Sequence, residues 1–196
     1  FLNLSLKFIF NSYIEVMFIQ VQTTPNPNSL KFLPGKKVSN IGPVEILDIN
    51  KTDNILAKQI LSVNGVRGVF FYEDFISVNK NNDYEWIDIK HIIISYINDF
   101  YNQGNTSVIK EKVDNNANKN FSEIEKRIIN VLETKIRPAV SRDGGDIVFK
   151  NFENGKVTVQ LQGSCAGCPS STLTLKKGVE NLLTHYVKEV KEVISI

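Results

Sequence analysis

Long apolar runs are missing from this 196-residue sequence, and no stretch approaches the roughly 18 consecutive apolar residues that a membrane-spanning helix needs. A large excess of one charge is missing too, because the formal net charge is only +2. A protein that binds nucleic acid normally carries a concentrated basic face, so no polyanionic partner is predicted. The sequence therefore predicts a protein that neither enters a membrane nor binds nucleic acid.

Cysteine is scarce, since the sequence contains only two, Cys165 and Cys168, three positions apart. Residues 1–16 contain no arginine and no small-residue cleavage site, so neither a transit peptide nor a secretory signal is predicted. Without a secretory signal the chain is expected in a reducing compartment. A close cysteine pair there is more often a metal-binding or redox-active site than a structural disulfide.

Methionine occurs once, at Met17, although the sequence begins with Phe1. A natural chain should begin with methionine, so we expect Met17 to be the true first residue and residues 1–16 to lie outside the fold. The remaining composition, 42% apolar and 22% charged, is ordinary for a soluble globular protein. A chain of 196 residues is long enough for one large domain or two small ones.

An asparagine-rich segment divides the sequence. Residues 103–120 contain five asparagines and sustain no apolar period, which is typical of a flexible linker. The segments on either side, residues 17–102 and 121–196, each mix strand and helix patterns. The predicted fold class is α/β (α+β), with two small domains that each contain a short sheet with packed helices.

In the first domain, an alternating strand at residues 18–22 leads into a proline-rich loop, Thr24–Ser29, which is either a recognition loop or a turn between two strands. Asp53 is predicted to cap a helix, and residues 66–78 are predicted to form a hairpin. A long helix is predicted to begin at Asp83, with Trp86 on its inward side.

In the second domain, Ser122 and Glu125 form a capping-box pattern, and Pro138 is expected to interrupt the helix that follows. The segment Arg142–Asp146 is predicted to be a turn in which two aspartates cap backbone donors rather than act as a catalytic pair. Asn154-Gly155 predicts a two-residue hairpin, whose second strand leads directly into the cysteine pair.

The cysteine pair occupies a predicted strand-to-helix junction, since Pro169 suits the first turn of a helix. A helix N-terminus carries partial positive charge and free N–H groups, which should favour thiolates. An iron–sulfur site, a zinc site and a dithiol redox site all fit the C-x-x-C spacing. The redox site is disfavoured, because the segment from Phe121 is short for a thioredoxin-like domain and no proline follows Pro169.

The number of ligands limits the metal sites. Tetrahedral zinc and the common iron–sulfur clusters take four protein ligands, whereas this chain offers two thiols. His91 lies in the other domain, and His185 lies about 25 Å along the helix from the motif. A symmetric dimer with two C-x-x-C loops face to face would supply four thiolates. Such a shared, exposed site favours a carrier over an enzyme, although zinc fits the same geometry.

Two groups of motifs resemble known families. The segment G-S-C-A-G-C-P-S-S at residues 163–171, preceded by Arg137-Pro138 and by R-D-G-G-D at residues 142–146, resembles the C-terminal domain of NifU, found in Nfu-type iron–sulfur scaffolds. The segment T-T-P-N-P-N-S-L-K-F at residues 23–32 resembles the start of the Nfu N-terminal domain. Together the resemblances span nearly all of the sequence beyond residue 17, in the order of that family.

The resemblance implies a protein, not an enzyme, that binds a 4Fe-4S cluster between the C-x-x-C motifs of two subunits and delivers it to apo-proteins. Cys165 and Cys168 are the implied cluster and metal ligands. The implied partners are a second copy of the chain, apo iron–sulfur proteins and cluster-assembly proteins. The alternatives are a dithiol–disulfide oxidoreductase and a zinc-bridged structural dimer. The expected location is the bacterial cytoplasm, with the mitochondrial matrix as the alternative.

Overall fold

The structure is a computed structural model that describes residues 18–109, 121–167 and 169–196, with only the backbone of residues 169–172. Residues 1–16, the expected first residue Met17 and the cysteine Cys168 therefore lie outside the described residues. The predicted fold class is confirmed: the described residues form a five-stranded sheet and a three-stranded sheet, each with packed helices.

The N-terminal domain contains five strands and two α-helices. In chain order these elements are β1 (Gln20–Thr23), β2 (Ser29–Leu33), β3 (Val44–Ile46), α1 (Ile55–Leu61), β4 (Val66–Phe71), β5 (Ile76–Lys80) and α2 (Trp86–Asn102). The sheet order is β1-β2-β5-β4-β3, and every neighbouring pair is antiparallel. The hairpin predicted at residues 66–78 is therefore confirmed as β4 and β5.

The two faces of this sheet differ because side chains alternate along a strand. The face that belongs to the same apolar core as α1 and α2 carries Val69, Phe71, Ile76 and Val78. The opposite face carries Phe70, Ser77 and Asn79, and these side chains are buried as well. Two of the three are polar, so this second face is covered by something other than the apolar core of its own domain.

The two helices begin one to three residues later than predicted. Asn54 caps α1, because its side-chain oxygen accepts a hydrogen bond of 2.8 Å from the Ala57 N–H, and Asp53 lies outside. The helix predicted to begin at Asp83 begins at Trp86. Trp86 packs at the margin of the core and donates its indole N–H to the carbonyl oxygen of Pro27 at 3.0 Å, so its polar group is satisfied.

The C-terminal domain is built around a three-stranded sheet. In chain order its elements are α3 (Glu123–Val131), a turn of π-helix (Leu132–Ile136), α4 (Arg137–Arg142), β6 (Gly145–Glu153), β7 (Lys156–Gly163), α5 (Pro169–Tyr186) and β8 (Glu192–Ser195). Strands β6 and β7 are antiparallel, whereas β8 runs parallel to β7 after the α5 crossover. No helix in the described part of the chain is both long and apolar enough to cross a membrane.

The helical segment before the sheet shows one confirmed prediction and one wrong one. Ser122 and Glu125 form the predicted capping box, with both reciprocal hydrogen bonds present. The expected interruption at Pro138 is wrong, because α4 continues directly from the π-helical turn and holds Pro138 in its first turn. Proline is tolerated there because the N–H that it lacks would have no partner within that helix.

The hairpin between β6 and β7 is confirmed at the predicted residues. Asn154 and Gly155 have φ angles of 52° and 81°, the left-handed values that a two-residue turn of this kind requires. Strand β7 then shows the alternation read from the sequence, with Val157, Val159 and Leu161 buried. With this register, β7 ends just before the cysteine pair.

The predicted linker, residues 103–120, is described only as far as Ile109. Val108 and Ile109 are buried, and both donate backbone hydrogen bonds to the carbonyl oxygen of Val38. Asn54 also donates to the Val108 carbonyl at 2.8 Å, so this first part packs on the N-terminal domain. Residues 110–120 lie outside the described residues, and the position of the domain boundary stays a prediction.

Candidate functional site

Residues 163–168, here called the cysteine loop, connect the end of β7 to the start of α5. Gly163 and Gly167 have φ angles of 63° and 77°, so the chain reverses at both ends of the described part of the loop. The Ala166 N–H donates to the Gly163 carbonyl at 3.1 Å, which closes the turn around Cys165. The strand-to-helix junction predicted for the cysteine pair is confirmed for Cys165, and Cys168 lies outside the described residues.

Cys165 is buried, with 8% of its surface exposed, and packs in the core of the C-terminal domain. Burial raises the pKa of its thiol to about 11; the hydrogen bond with Ser164 lowers it, and the charges of Asp143 and Asp146 raise it. Desolvation of Cys165 thus opposes the thiolate that the helix N-terminus was expected to favour. A bound cation deprotonates a coordinating thiol outright, so metal binding would reverse this balance.

Gly145, at the start of β6, makes room for the Cys165 side chain. A Cβ at this position would lie 2.5 Å from the Cys165 Sγ and 2.7 Å from the Gln162 carbonyl oxygen. Gly145 also pairs with Gly163 in the β6–β7 register. The sequence predicted a turn over Arg142–Asp146, whereas the structure has Arg142 in α4, a turn at residues 143–144 and the start of β6 at Gly145. The missing side chain of Gly145 leaves the space that the thiol occupies.

Asp146 is fully buried and forms an ion pair with Arg137 of α4, in which the Arg137 Nε donates to Oδ1 at 2.8 Å. Burial raises the pKa of Asp146, and the adjacent guanidinium opposes that rise. This pair joins α4 to β6 beside the cysteine loop. Asp146 therefore has a structural role, but it lies in β6 rather than in the predicted turn, and its partner Arg137 was not indicated by the sequence.

Side chains from the N-terminal domain hold the backbone of the cysteine loop. The Asn79 Nδ2 donates to the carbonyl oxygen of Gly163 at 2.8 Å, where β7 ends. The Asn26 Nδ2 donates to the carbonyls of Ser164 at 3.0 Å and Ala166 at 3.4 Å, on both sides of Cys165. Asn26 and Asn79 are 2% and 3% exposed, so these contacts are shielded from solvent.

Two further contacts extend this arrangement to the turn before β6. The Ser77 hydroxyl donates to the Gly144 carbonyl oxygen at 2.6 Å, and the Gly163 N–H donates to the Glu45 Oε1 at 2.8 Å. Burial raises the pKa of Glu45, while the hydrogen bond from Gly163 and the charge of Arg67 lower it. The N-terminal sheet thus contacts both chain segments that surround Cys165.

The glycines of the two segments fit closely against the N-terminal domain. A Cβ on Gly163 would lie 2.7 Å from the Phe70 ring, and one on Gly144 would lie 2.8 Å from the Ser77 Oγ. A Cβ on Gly167 would overlap the Arg67 guanidinium. The glycines therefore allow close approach of the other domain in addition to the positive φ angles.

Lys31, in β2, contacts the C-terminal end of α4. Its Nζ donates to the carbonyl oxygens of Ser141 and Arg142, each at 3.1 Å, and lies 4.2 Å from the centre of the Phe75 ring. Burial lowers the pKa of Lys31, whereas Asp74 and Asp143 raise it. A cation at the end of a helix stabilises the unpaired carbonyls there, so this contact also orients the domains.

Two cavities adjoin Cys165. One, of about 500 Å³, lies between the β1–β2 loop and α5 and is lined by residues that include Asn26, Asp143 and Thr174. The other, of about 610 Å³, is lined by residues that include Glu45, Gly167 and Lys176. Residues of both domains line each cavity, so both domains, and not the C-terminal domain alone, form the surroundings of Cys165.

The N-terminal contacts are what sequence reasoning missed. The loop Thr24–Ser29 was open between a recognition loop and a simple turn, and the structure shows that its Asn26 contacts the cysteine loop. The available signal was that the polar Ser77 and Asn79 alternate with the apolar Ile76 and Val78 in one strand. That signal indicates a polar face but not which segment covers it.

Comparisons with known proteins match both halves of the chain. The model for the NifU-like domain matches residues 128–194, and that for the N-terminal domain of scaffold protein Nfu/NifU matches residues 19–104. The chain is 45% identical over 186 residues to NifU-like protein 4, mitochondrial, of Arabidopsis thaliana, a match that covers 91% of this chain and 66% of that protein.

A second relative is the NFU1 iron-sulfur cluster scaffold homolog, mitochondrial, of Homo sapiens, which is 43% identical over 183 residues, covering 92% of this chain and 72% of that protein. The chain thus spans 66% to 72% of the lengths of these two relatives. A solution structure of a NifU-like protein from Saccharomyces cerevisiae aligns with a TM-score of 0.45 and 29% identity, over 52% of this chain and 91% of that one.

Proposed function

This chain belongs to the Nfu family of iron–sulfur cluster scaffold proteins, and we propose that it binds a 4Fe-4S cluster between the C-x-x-C motifs of two subunits and delivers it to apo-proteins. Family membership confirms both resemblances read from the sequence. The cluster type, its sharing between subunits and its transfer are the proposal.

The ligand set is the observation that carries the proposal. In the described ranges 18–109, 121–167 and 169–196, no three His, Cys, Asp or Glu side chains lie close enough together to hold a metal ion. The chain contains only two cysteines, whereas a 4Fe-4S cluster takes four thiolates. Two copies of the cysteine loop, each contributing Cys165 and Cys168, would complete that set.

The surroundings of Cys165 fit a soft, thiolate-ligated cargo better than a hard cation. Thiolates select iron–sulfur clusters, zinc and copper(I) over magnesium and calcium. The buried Asp146 carboxylate is paired with Arg137 through its Oδ1. Because Gly145 has no Cβ, β6 does not overlap the Sγ of Cys165. A sulfur atom that binds a cluster must not be obstructed in this way.

A cluster held at a seam between two chains can leave when the seam opens, so we propose that the chain is a carrier and not an enzyme. Its partners would be a second copy, the apo-proteins that receive the cluster and the proteins that assemble it. Both relatives named above are called mitochondrial, which supports the mitochondrial matrix as the location. The bacterial cytoplasm, expected first from the sequence, has no support from these relatives.

Anaerobic reconstitution of the full chain with iron and sulfide tests the proposal. The measurements are visible absorbance, iron per chain and mass in solution, for the natural chain and for Cys165→Ser and Cys168→Ser. We expect a brown dimer with about two irons per chain, since four irons are shared by two chains. Each single substitution should abolish the colour and the dimer.

The alternatives give different results in the same experiment. A colourless monomer that reduces a test disulfide would instead identify a dithiol oxidoreductase. A colourless dimer that holds zinc would identify a structural metal bridge. A brown dimer with about one iron per chain would indicate a shared 2Fe-2S cluster, which also takes four thiolates.

A further inference from the structure

The N-terminal domain contacts nearly the whole described length of the cysteine loop. Asn79 and Phe70 contact Gly163, and Asn26 spans Cys165 by bonding the carbonyls on either side of it. Arg67 lies against Gly167, the last described residue before Cys168. The covering side chains come from the β1–β2 loop, β4 and β5, so one face of one domain provides all these contacts.

The buried polar side chains among these contacts bind backbone groups of the other domain. Asn26, Ser77 and Asn79 are each at most 3% exposed, yet each donates to a main-chain carbonyl of the other domain. Ser77 and Asn79 lie on the sheet face opposite the domain's own apolar core, and Asn26 lies in the β1–β2 loop, so none of the three belongs to that core. Leaving a buried amide without a hydrogen-bond partner costs free energy, so these side chains must bond either the cysteine loop or water.

The covered loop is also the place where a second subunit must bind if a cluster is shared. A second pair of thiolates would have to approach Cys165, which is 8% exposed and is buried in part by the core of its own domain. The N-terminal domain already fits against Gly163 and Gly167 so tightly that a single Cβ would overlap it. A second copy that shared a cluster at Cys165 would therefore need part of the surface that the N-terminal domain occupies here.

We propose that the face formed by Asn26, Arg67, Phe70, Ser77 and Asn79, here called the cover, alternates with a second copy of the chain at the cysteine loop. The single chain without cargo is closed by the cover. The cluster-bridged dimer has the cover released, so that both loops reach the cluster. This inference rests on the proposed function, and by linkage anything that weakens the cover also favours cluster binding.

Alkylation of Cys165 tests the cover without any cluster. The full chain carrying Cys168→Ser keeps one thiol, whose reaction with iodoacetamide at fixed pH is timed with and without Asn79→Ala or Asn26→Ala. We expect Asn79→Ala to accelerate alkylation about tenfold, the effect of one hydrogen bond to a buried carbonyl on the open–closed balance. Asn26→Ala removes two such bonds and should accelerate alkylation at least as much. An unchanged rate in both would overturn the proposal.

Asn28→Ala is the matched control. Asn28 lies in the same loop as Asn26, but its side chain bonds Lys80 and Asn82 of its own domain, so its loss should leave the alkylation rate unchanged. Circular dichroism on every variant separates opening of the cover from unfolding of the domain. If Asn28→Ala accelerates alkylation as much as Asn26→Ala, the effect is general destabilisation and the proposal fails.

Small-angle scattering of the natural chain needs no substitution and tests the alternation itself. We expect a compact monomer before reconstitution and a dimer with widely separated N-terminal domains after it. A brown dimer whose N-terminal domains remain docked on the loops would overturn the alternation while leaving the proposed function intact. Faster alkylation in the two cover variants together with failed reconstitution would support the cover and overturn the proposed function.

Discussion

The side-chain amide of Asn79 donates a hydrogen bond of 2.8 Å to the carbonyl oxygen of Gly163, joining the middle of one domain's sheet to the first residue of the other domain's cysteine loop. The two residues are 84 positions apart in the sequence. Both are buried, so neither partner has water as an equal substitute. Through this contact, the N-terminal sheet helps to hold the conformation of the cysteine loop.

Asn79→Ala should lower the free energy of unfolding by about 1–3 kcal/mol, because the buried Gly163 carbonyl loses its donor. Urea unfolding followed by circular dichroism measures the loss. Asn40→Ala removes an exposed amide that bonds Ser107 and should change stability by at most about 0.5 kcal/mol. Equal effects of the two substitutions would contradict the assignment of Asn79 to a buried contact between domains.

Gly145→Ala should damage the site directly, because the added methyl group would lie 2.5 Å from the Cys165 Sγ. We expect a loss of about 1–3 kcal/mol in stability, typical of overpacking, and reduced iron per chain after reconstitution. Gly178→Ala is the control, since no atom lies within 4 Å of a Cβ there and alanine favours the helix by about 0.5–1 kcal/mol. If Gly145→Ala folds and loads iron normally, the close fit at the thiol is not required.

Arg137→Ala should be strongly destabilising, because it leaves the fully buried Asp146 carboxylate without its cation. Breaking a buried pair in this way costs about 3–5 kcal/mol. Arg127→Ala breaks an exposed pair with Glu189 and should cost at most about 1 kcal/mol. The test is the difference between their urea midpoints, and similar midpoints would show that the Arg137 pair contributes no more than a surface pair.

Glu45 should make stability depend on pH, because burial raises its pKa above the value in the unfolded chain. An acid of this kind contributes stability fully below its unfolded pKa, and that contribution is lost as pH rises through the raised folded pKa. Glu45→Gln keeps an oxygen that accepts from the Gly163 N–H but cannot ionise.

The stability of Glu45→Gln relative to the natural chain should therefore be greater at pH 8 than at pH 5. Urea midpoints of both proteins at the two pH values measure this difference. A relative stability of Glu45→Gln that falls between pH 5 and pH 8 would mean that the ionised carboxylate is the favoured form.

The sequence predicted the C-terminal domain well because its signals are local. Asn154-Gly155 specifies its own turn, and Ser122 with Glu125 caps its own helix, whatever lies nearby. Pro138 was misread because its effect depends on whether it falls in the first turn of a helix or in the middle of one. The preceding π-helical turn, which determines that position, leaves no recognisable pattern in the sequence.

The chemistry of the cysteine site was predicted only in part. The spacing of Cys165 and Cys168 and the family motif around them indicate the cargo, and both are visible in one short segment. The raised pKa of Cys165 and the contact of its Sγ with Gly145 were not predictable, because both depend on which groups surround the thiol after folding.

By itself the sequence determined the two-domain α/β class, the hairpin before the cysteine pair and membership of a scaffold family, since each depends on short-range periodicity or a contiguous motif. Only the tertiary structure decided that Asn26, Ser77 and Asn79 bind the backbone of the cysteine loop. A backbone carbonyl is the same at every residue, so nothing in the sequence marks which carbonyl a buried amide will meet. That pairing is set by how two whole sheets pack, which no local pattern records.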